Sequence, residues 1–215
     1  MLFISFEGID GSGKTTIAKL LKEKLKSQGY EVVLTREPGG NEIAEQIRDI
    51  ILSKKNSQIN PWTEALLYIA ARKQHVSEDI LPALKRGAVV LCDRFMDSTS
   101  AYQGYARGLG IRTLDEVQSI VLGTTKPDLT LFFDIEPTAA RGRMKARFED
   151  EMDRLDLEKQ SFHEKVYEGY QVLISEHSDR IKVVDARKSI NEVLEQVSYY
   201  IDEVLTKLQG NKNDD

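Results

Sequence analysis

The sequence predicts an α/β fold in which five strands form a mostly parallel sheet with helices on both faces. Three observations predict it. Short apolar runs alternate with stretches of helical periodicity. The runs are nearly continuous in apolar residues, as strands covered on both faces require. A glycine-rich turn joins the first run directly to an amphipathic stretch.

The first strand is Leu2 to Phe6, and a helix from Lys14 to Gln28 follows, with Ile17, Leu20, Leu21 and Leu25 on one stripe and Gly29 just past its end. The second strand, Val32 to Thr35, leads into the turn Glu37-Pro38-Gly39-Gly40 at a strand's carboxyl end, where open α/β sheets place ligands. A long helical stretch covers Pro61 to Lys85, and Pro82 is expected to bend it. Strands at Ala88 to Cys92, Leu129 to Phe133 and Ile181 to Val184 complete the sheet. Helices are expected over 113–122, 137–147, 158–177 and 189–208. Arg141 to Arg154 is dense in charge with few apolar anchors, which suits a mobile lid at about 141–156. The 215 residues fit one domain, 1–208, with a polar tail, 209–215, expected to be disordered. No internal repeat is found.

Bulk composition narrows the function. A net charge of -5 argues against a surface built to hold a nucleic-acid backbone, while leaving room for a small local basic site. The one cysteine, Cys92, has no intramolecular disulfide partner, and no Cys/His spacing proposes zinc. The chain therefore suits a reducing, cytoplasmic setting. Its apolar start lacks the basic residues and length of a signal peptide, and no stretch reaches the roughly 18 to 20 apolar residues that span a bilayer. Membrane insertion is not expected.

Gly8-Ile9-Asp10-Gly11-Ser12-Gly13-Lys14-Thr15 has the spacing of a phosphate-binding P-loop and lies between a strand and a helix, as that motif requires. Glycines let backbone N–H groups turn toward phosphates, and the helix N-terminus adds a favourable dipole. Lys14 would reach the β and γ oxygens and Thr15 would ligate magnesium, with Thr16 beside them. The dinucleotide fingerprint fails, because the residue three after Gly13 is Thr16. Two near matches to a guanine-reading motif are also misplaced. Asn211-Lys212-Asn213-Asp214 lies in the tail, and Thr125-Lys126-Pro127-Asp128 precedes its strand. A small-molecule kinase needs cationic side chains around the phosphoryl in flight. Arg36, Arg72 and Arg94 meet that need near strand ends or on the long helix, and Arg141, Arg143, Lys145, Arg147 and Arg154 crowd the lid. Asp93, closing the third strand, is placed to hold magnesium through water.

These residues carry a resemblance. Phe6 to Thr16, Thr35-Arg36-Glu37-Pro38-Gly39-Gly40, Asp93-Arg94-Phe95, Ser98 to Gly104 and Pro127 to Asp134 resemble, in order, the motifs of the thymidylate kinase family, bacterial type. The resemblance implies transfer of the ATP γ-phosphoryl to dTMP, with Mg2+, in a homodimer. It further implies that Tyr68, where the family commonly has Phe, stacks on thymine. By the same resemblance Arg72 reads base and phosphate, Arg94 holds the acceptor phosphate, and Ser98, Thr99 and Gln103 surround the thymine edge. Glu37 lies in the acceptor wall, Arg48 is a further phosphate contact, and Asp10 sits near the sugar 3'-hydroxyl. Some members carry a basic residue inside the P-loop. Here Ile9 to Ser12 includes none, so the lid is expected to supply the catalytic charge, through Arg147 with Arg143 and Arg154 assisting. The lid departs from the usual Arg-Gly ending, with Phe148 in place of glycine. The alternatives are a kinase of another nucleoside monophosphate or a deoxynucleoside, or, from another class, a P-loop ATPase that switches a protein partner. The cluster Arg72, Arg94 and Gln103 favours a kinase.

Overall fold

The computed structural model describes residues 2–145 and 153–210. Its sheet contains β1 (Leu2–Glu7), β2 (Val32–Arg36), β3 (Val89–Asp93), β4 (Leu129–Asp134) and β5 (Ile181–Asp185), all parallel, in the order β2-β3-β1-β4-β5. The five expected strands are all present. Asp128, part of one misplaced guanine-like motif, has a structural task instead: its carboxylate accepts the Phe3 N–H at 2.7 Å, beside the start of β4.

Alternation along β1 creates the three layers. Leu2, Ile4 and Phe6 pack with Ile17, Leu21 and Leu25 of α1 (Lys14–Ser27), while Phe3 packs on the opposite face with Val76, Ile80 and Ala83. The long stretch from Pro61 is α3 (Pro61–His75), a π turn (Val76–Ile80) and α4 (Leu81–Lys85). Pro82 lacks the N–H that an α-helix would donate four residues back, and the wider turn lies just before it. Two helices were not anticipated. α2 (Glu42–Leu52) is capped by Asn41, whose side chain accepts from Ala44 N, and α5 (Met96–Thr99) runs into a second π segment, Ser100–Ala106.

The remaining helices are α6 (Ile111–Leu122), α7 (Pro137–Lys145), α8 (Gln160–Glu176) and α9 (Ile190–Gly210). α9 runs two residues past the expected boundary at 208; residues 211–215 lie outside the described part. The lid expected at 141–156 differs at both ends. Residues 141–145 complete α7, and Arg154 and Leu155 are buried against the body of the protein.

Candidate active site

The loop between β1 and α1 is shaped by close approach. Gly8 has φ 134°, and a Cβ there would lie 2.9 Å from the Phe133 carbonyl oxygen, so a side chain is excluded on both counts. Gly13 caps α1 in the left-handed region without any side-chain cap. The first N–H groups of the helix are thereby left for an anion. Lys14 is buried, its Nζ donating to the Ile9 carbonyl at 2.8 Å and to Ser12 Oγ at 3.3 Å. Burial, with the nearby Arg94 charge, pushes its ammonium down to about 8, still mainly charged at neutral pH. The Thr15 hydroxyl donates to the Asp93 carboxylate.

β1 and β3 are neighbours, with Phe6 opposite Asp93, so the residues after the two strands share one end of the sheet. Arg94 donates its N–H to the Phe6 carbonyl at 2.9 Å and adopts φ 70°, a left-handed conformation rare outside glycine. Its guanidinium donates to Asp10 at 2.6 Å, to the Tyr102 hydroxyl at 3.2 Å and to Ser98 Oγ at 3.2 Å. Burial alone would push the Asp10 carboxyl up. Arg94 and Lys14 outweigh it and hold the group well below the usual carboxylate range. Behind Arg94, the buried Glu7 carboxyl accepts from Phe95 N, Ser98 Oγ and the Tyr170 hydroxyl. Burial, reinforced by repulsion from Asp97, pushes it up to about 7.

Arg72, 1% exposed, is held on three sides. Its Nε donates to Glu37 at 2.6 Å, one terminal nitrogen to Thr99 Oγ1 at 3.0 Å and Gln118 Oε1 at 2.6 Å, and the other to the Phe95 carbonyl at 2.9 Å. Four of its five N–H donors are engaged, which leaves one for a ligand. Glu37 is also paired with His75 Nδ1 at 3.0 Å, and His75 Nε2 with Thr35 Oγ1 at 2.7 Å. Glu37, His75 and Cys92 cluster within 4.8 Å, but both ring nitrogens and the carboxylate already have partners, so the group is a hydrogen-bond network.

These groups open into one cavity of about 940 Å³, near the upper end of the roughly 300–1,000 Å³ typical of ligand pockets. Of the residues singled out in the sequence, the cavity wall brings together Asp10 to Thr16, Glu37, Arg48, Tyr68, Arg72, Asp93, Arg94, Ser98, Thr99, Gln103 and Arg143. Arg143 is exposed and donates to the Ala186 carbonyl at 3.0 Å. Arg154 departs from expectation. It is buried, donates to Glu64 at 2.5 Å and to the Ile51 carbonyl at 2.9 Å, and is absent from the wall formed by its neighbours Asp153, Leu155 and Asp156. The physical reason is Glu64, a buried carboxylate that needs cationic partners. Arg147 and Phe148 lie outside the described residues. Sequence reasoning gave no individual role to Glu7 and Tyr102, which lie inside the motifs it singled out, and missed the supporting side chains Glu64, His75, Gln118 and Tyr170. It also missed the far wall, Ala186 and Lys188 to Ile190 with Val193; no motif signals that wall. Among the described residues no helix is long and apolar enough to cross a membrane.

The comparisons with known proteins agree with this geometry. The family model described as Thymidylate kinase matches residues 6–197. The chain is 52% identical over 211 residues to the thymidylate kinase of Mycoplasma capricolum, covering 98% of each chain, and 49% identical over 208 residues to that of Bacillus pumilus, covering 97% and 98%. A crystal structure of thymidylate kinase from Ehrlichia chaffeensis superposes with TM-score 0.75 at 34% identity, covering 94% of this chain and 98% of that one. A P-loop that faces an arginine-rich wall across one cavity, in a chain that these relatives match over 94% or more of its length, places the chain in the thymidylate kinase family.

Proposed function

We propose that this chain transfers the γ-phosphoryl of ATP to dTMP, giving dTDP and ADP, with Mg2+ as cofactor. The observation that carries the reading is the shared cavity: the P-loop after β1 and the cationic segment after β3 meet because Phe6 and Asp93 are paired in the sheet. Arg94 and Arg72 hold the acceptor phosphate and base, Tyr68 stacks on the ring, and Thr99 and Gln103 line the base edge. Glu37 positions Arg72, Arg48 adds charge near the phosphate, and Asp10 faces the sugar. Ala186 and Lys188 to Ile190 form the end that receives the donor's base.

No general base is required. A phosphate monoester, with a second pKa of about 6, already presents an anionic oxygen at neutral pH. Transfer is direct and in line, with Lys14 offsetting negative charge, Arg143 reaching in from the end of α7 and Arg147 approaching from the lid. Thr15 and Asp93 offer the hard oxygen donors that suit Mg2+, and their mutual contact brings them to one spot. Bound there, the ion would neutralise phosphate charge. The exposed apolar side chains Ile43, Ile50 and Leu66 support pairing with a second copy, which sedimentation equilibrium tests. The single domain acts in the cytoplasm.

The test is ADP release from Mg-ATP with dTMP, dUMP, dAMP, dCMP, dGMP, UMP and thymidine as acceptors. dTMP is expected to give the highest kcat/KM. Another best acceptor overturns the substrate assignment.

A further inference from the structure

Glu64 lies on α3, is 1% exposed, and belongs to no phosphate-binding or arginine motif. One carboxylate oxygen accepts from Gln103 Nε2 at 2.9 Å and Arg107 Nε at 3.3 Å; the other accepts from Arg154 at 2.5 Å and Arg107 at 3.4 Å. Burial pushes this carboxyl up, but the Gln103 hydrogen bond and the two guanidinium charges outweigh it and hold the group below its ordinary value. It is an anion fully engaged as an acceptor.

An anion in that position decides which way the Gln103 amide faces. Reversed, the amide would set its oxygen against a carboxylate oxygen at about hydrogen-bond distance, two acceptors with no proton between them. The NH2 group therefore stays on Glu64. Gln103 Oε1 has no protein partner among the described residues, yet it is not a buried orphan. Gln103 lines the cavity, and that is where an acceptor left open by the protein is satisfied.

We infer that Glu64 is a specificity-determining residue that, by fixing the Gln103 amide, presents an acceptor to the pyrimidine edge and so selects a ring bearing N–H at position 3. Thymine and uracil carry that N–H. Cytosine carries a bare ring nitrogen there, and it meets the Gln103 oxygen as acceptor against acceptor. The neighbouring ring carbonyl suits the one N–H donor that Arg72 keeps free. Because Arg154 shares the same carboxylate, the chain that follows the lid is anchored to the residue that orients the base reader.

This inference rests on the dTMP reading above, and the experiment separates the two. The kcat/KM ratio of dTMP to dCMP is measured for the parent, Glu64→Gln, Gln103→Ala and the double variant, with folding checked by circular dichroism. A parent with no preference for dTMP refutes the functional reading itself. With that preference present, Glu64→Gln, which leaves Gln103 free to turn its amide, is expected to lower the ratio at least about tenfold. In the Gln103→Ala background the same change is expected to leave the ratio where Gln103→Ala alone puts it. Glu64→Asp keeps the charge but withdraws it from Gln103, and it replaces Glu64→Gln should that variant not fold. An unchanged ratio in the folded variant overturns the inference, as does a further fall in the double variant. Failure of both Glu64 variants to fold also overturns it, by reducing Glu64 to a structural role.

Discussion

Replacing Arg72 with Met keeps much of its length while removing the guanidinium, and the structure sets the size of the effect. The side chain is 1% exposed, and its loss leaves Glu37 with His75 as its remaining side-chain partner and takes a donor from Thr99, Gln118 and the Phe95 carbonyl. Breaking one side of a buried ion pair costs about 3–5 kcal/mol. Taking about 4 kcal/mol, and about 2–4 °C per kcal/mol for a chain of this length, the melting temperature should fall by about 8–16 °C. Thermal unfolding reads the temperature shift, and urea unfolding of the parent, Arg72→Met, Glu37→Gln and the double variant gives the free energies. Glu37→Gln removes the stranded charge, so the double variant should be about 2 kcal/mol more stable than the sum of the single losses implies. A loss below about 1 kcal/mol in Arg72→Met, or strict additivity, refutes the claim that the pair is a buried, mutually dependent unit.

Other outcomes follow from the site. Arg147→Ala should lower kcat by about 100-fold while changing dTMP affinity little, whereas Arg154→Ala should lower the unfolding midpoint first, because Arg154 is buried on Glu64. Steady-state kinetics and urea titration distinguish the two, and equal kcat in Arg147→Ala and parent reassigns the role. Thr15→Val should raise the Mg2+ concentration for half-maximal activity roughly tenfold; an unchanged requirement removes Thr15 from the metal site. Glu7 carries a folded-state pKa of about 7, above its ordinary 4.5, so its contribution to stability is fully present below about pH 4.5 and is lost as pH rises toward 7. Glu7→Gln does not titrate. The stability difference, parent minus variant, should therefore fall between pH 5 and 7 and flatten above; a rising difference contradicts the assigned burial.

The strands and the phosphate loop were legible because their signals are local: largely apolar runs of four or five residues, and a motif of eight. Helix α2 was legible but not read: Ile43, Ala44, Ile47, Ile50 and Ile51 recur at helical spacing in one stripe behind the Asn41 cap, and the structure buries only the Ala44 and Ile51 side of that stripe while Ile43 and Ile50 stand exposed. The π segment that carries Tyr102 and Gln103 has no sequence signature comparable to the 3.6-residue period. The site's supports were hidden for another reason. Glu7 meets Tyr170 across 163 residues and Glu64 meets Arg154 across 90, and no periodicity encodes such partners. Arg154 itself was visible as charge in a charged segment. What the sequence could not convey was that a buried carboxylate waits for it.

The pairing of Phe6 with Asp93 also bears on how this enzyme tolerates change. The spacing between the phosphate loop and Arg94 is a strand-to-strand distance, maintained by the backbone ladder between β1 and β3. Side chains around the rim can vary, and segments such as the lid can lengthen or shorten, without altering that spacing. A register slip of one residue in β3 would instead exchange its two faces, sending Val90 and Cys92 toward the layer now filled by Leu91. The packing that rejects this slip is also what keeps the phosphate loop and Arg94 aligned, so drift in that geometry would first require the core to come apart.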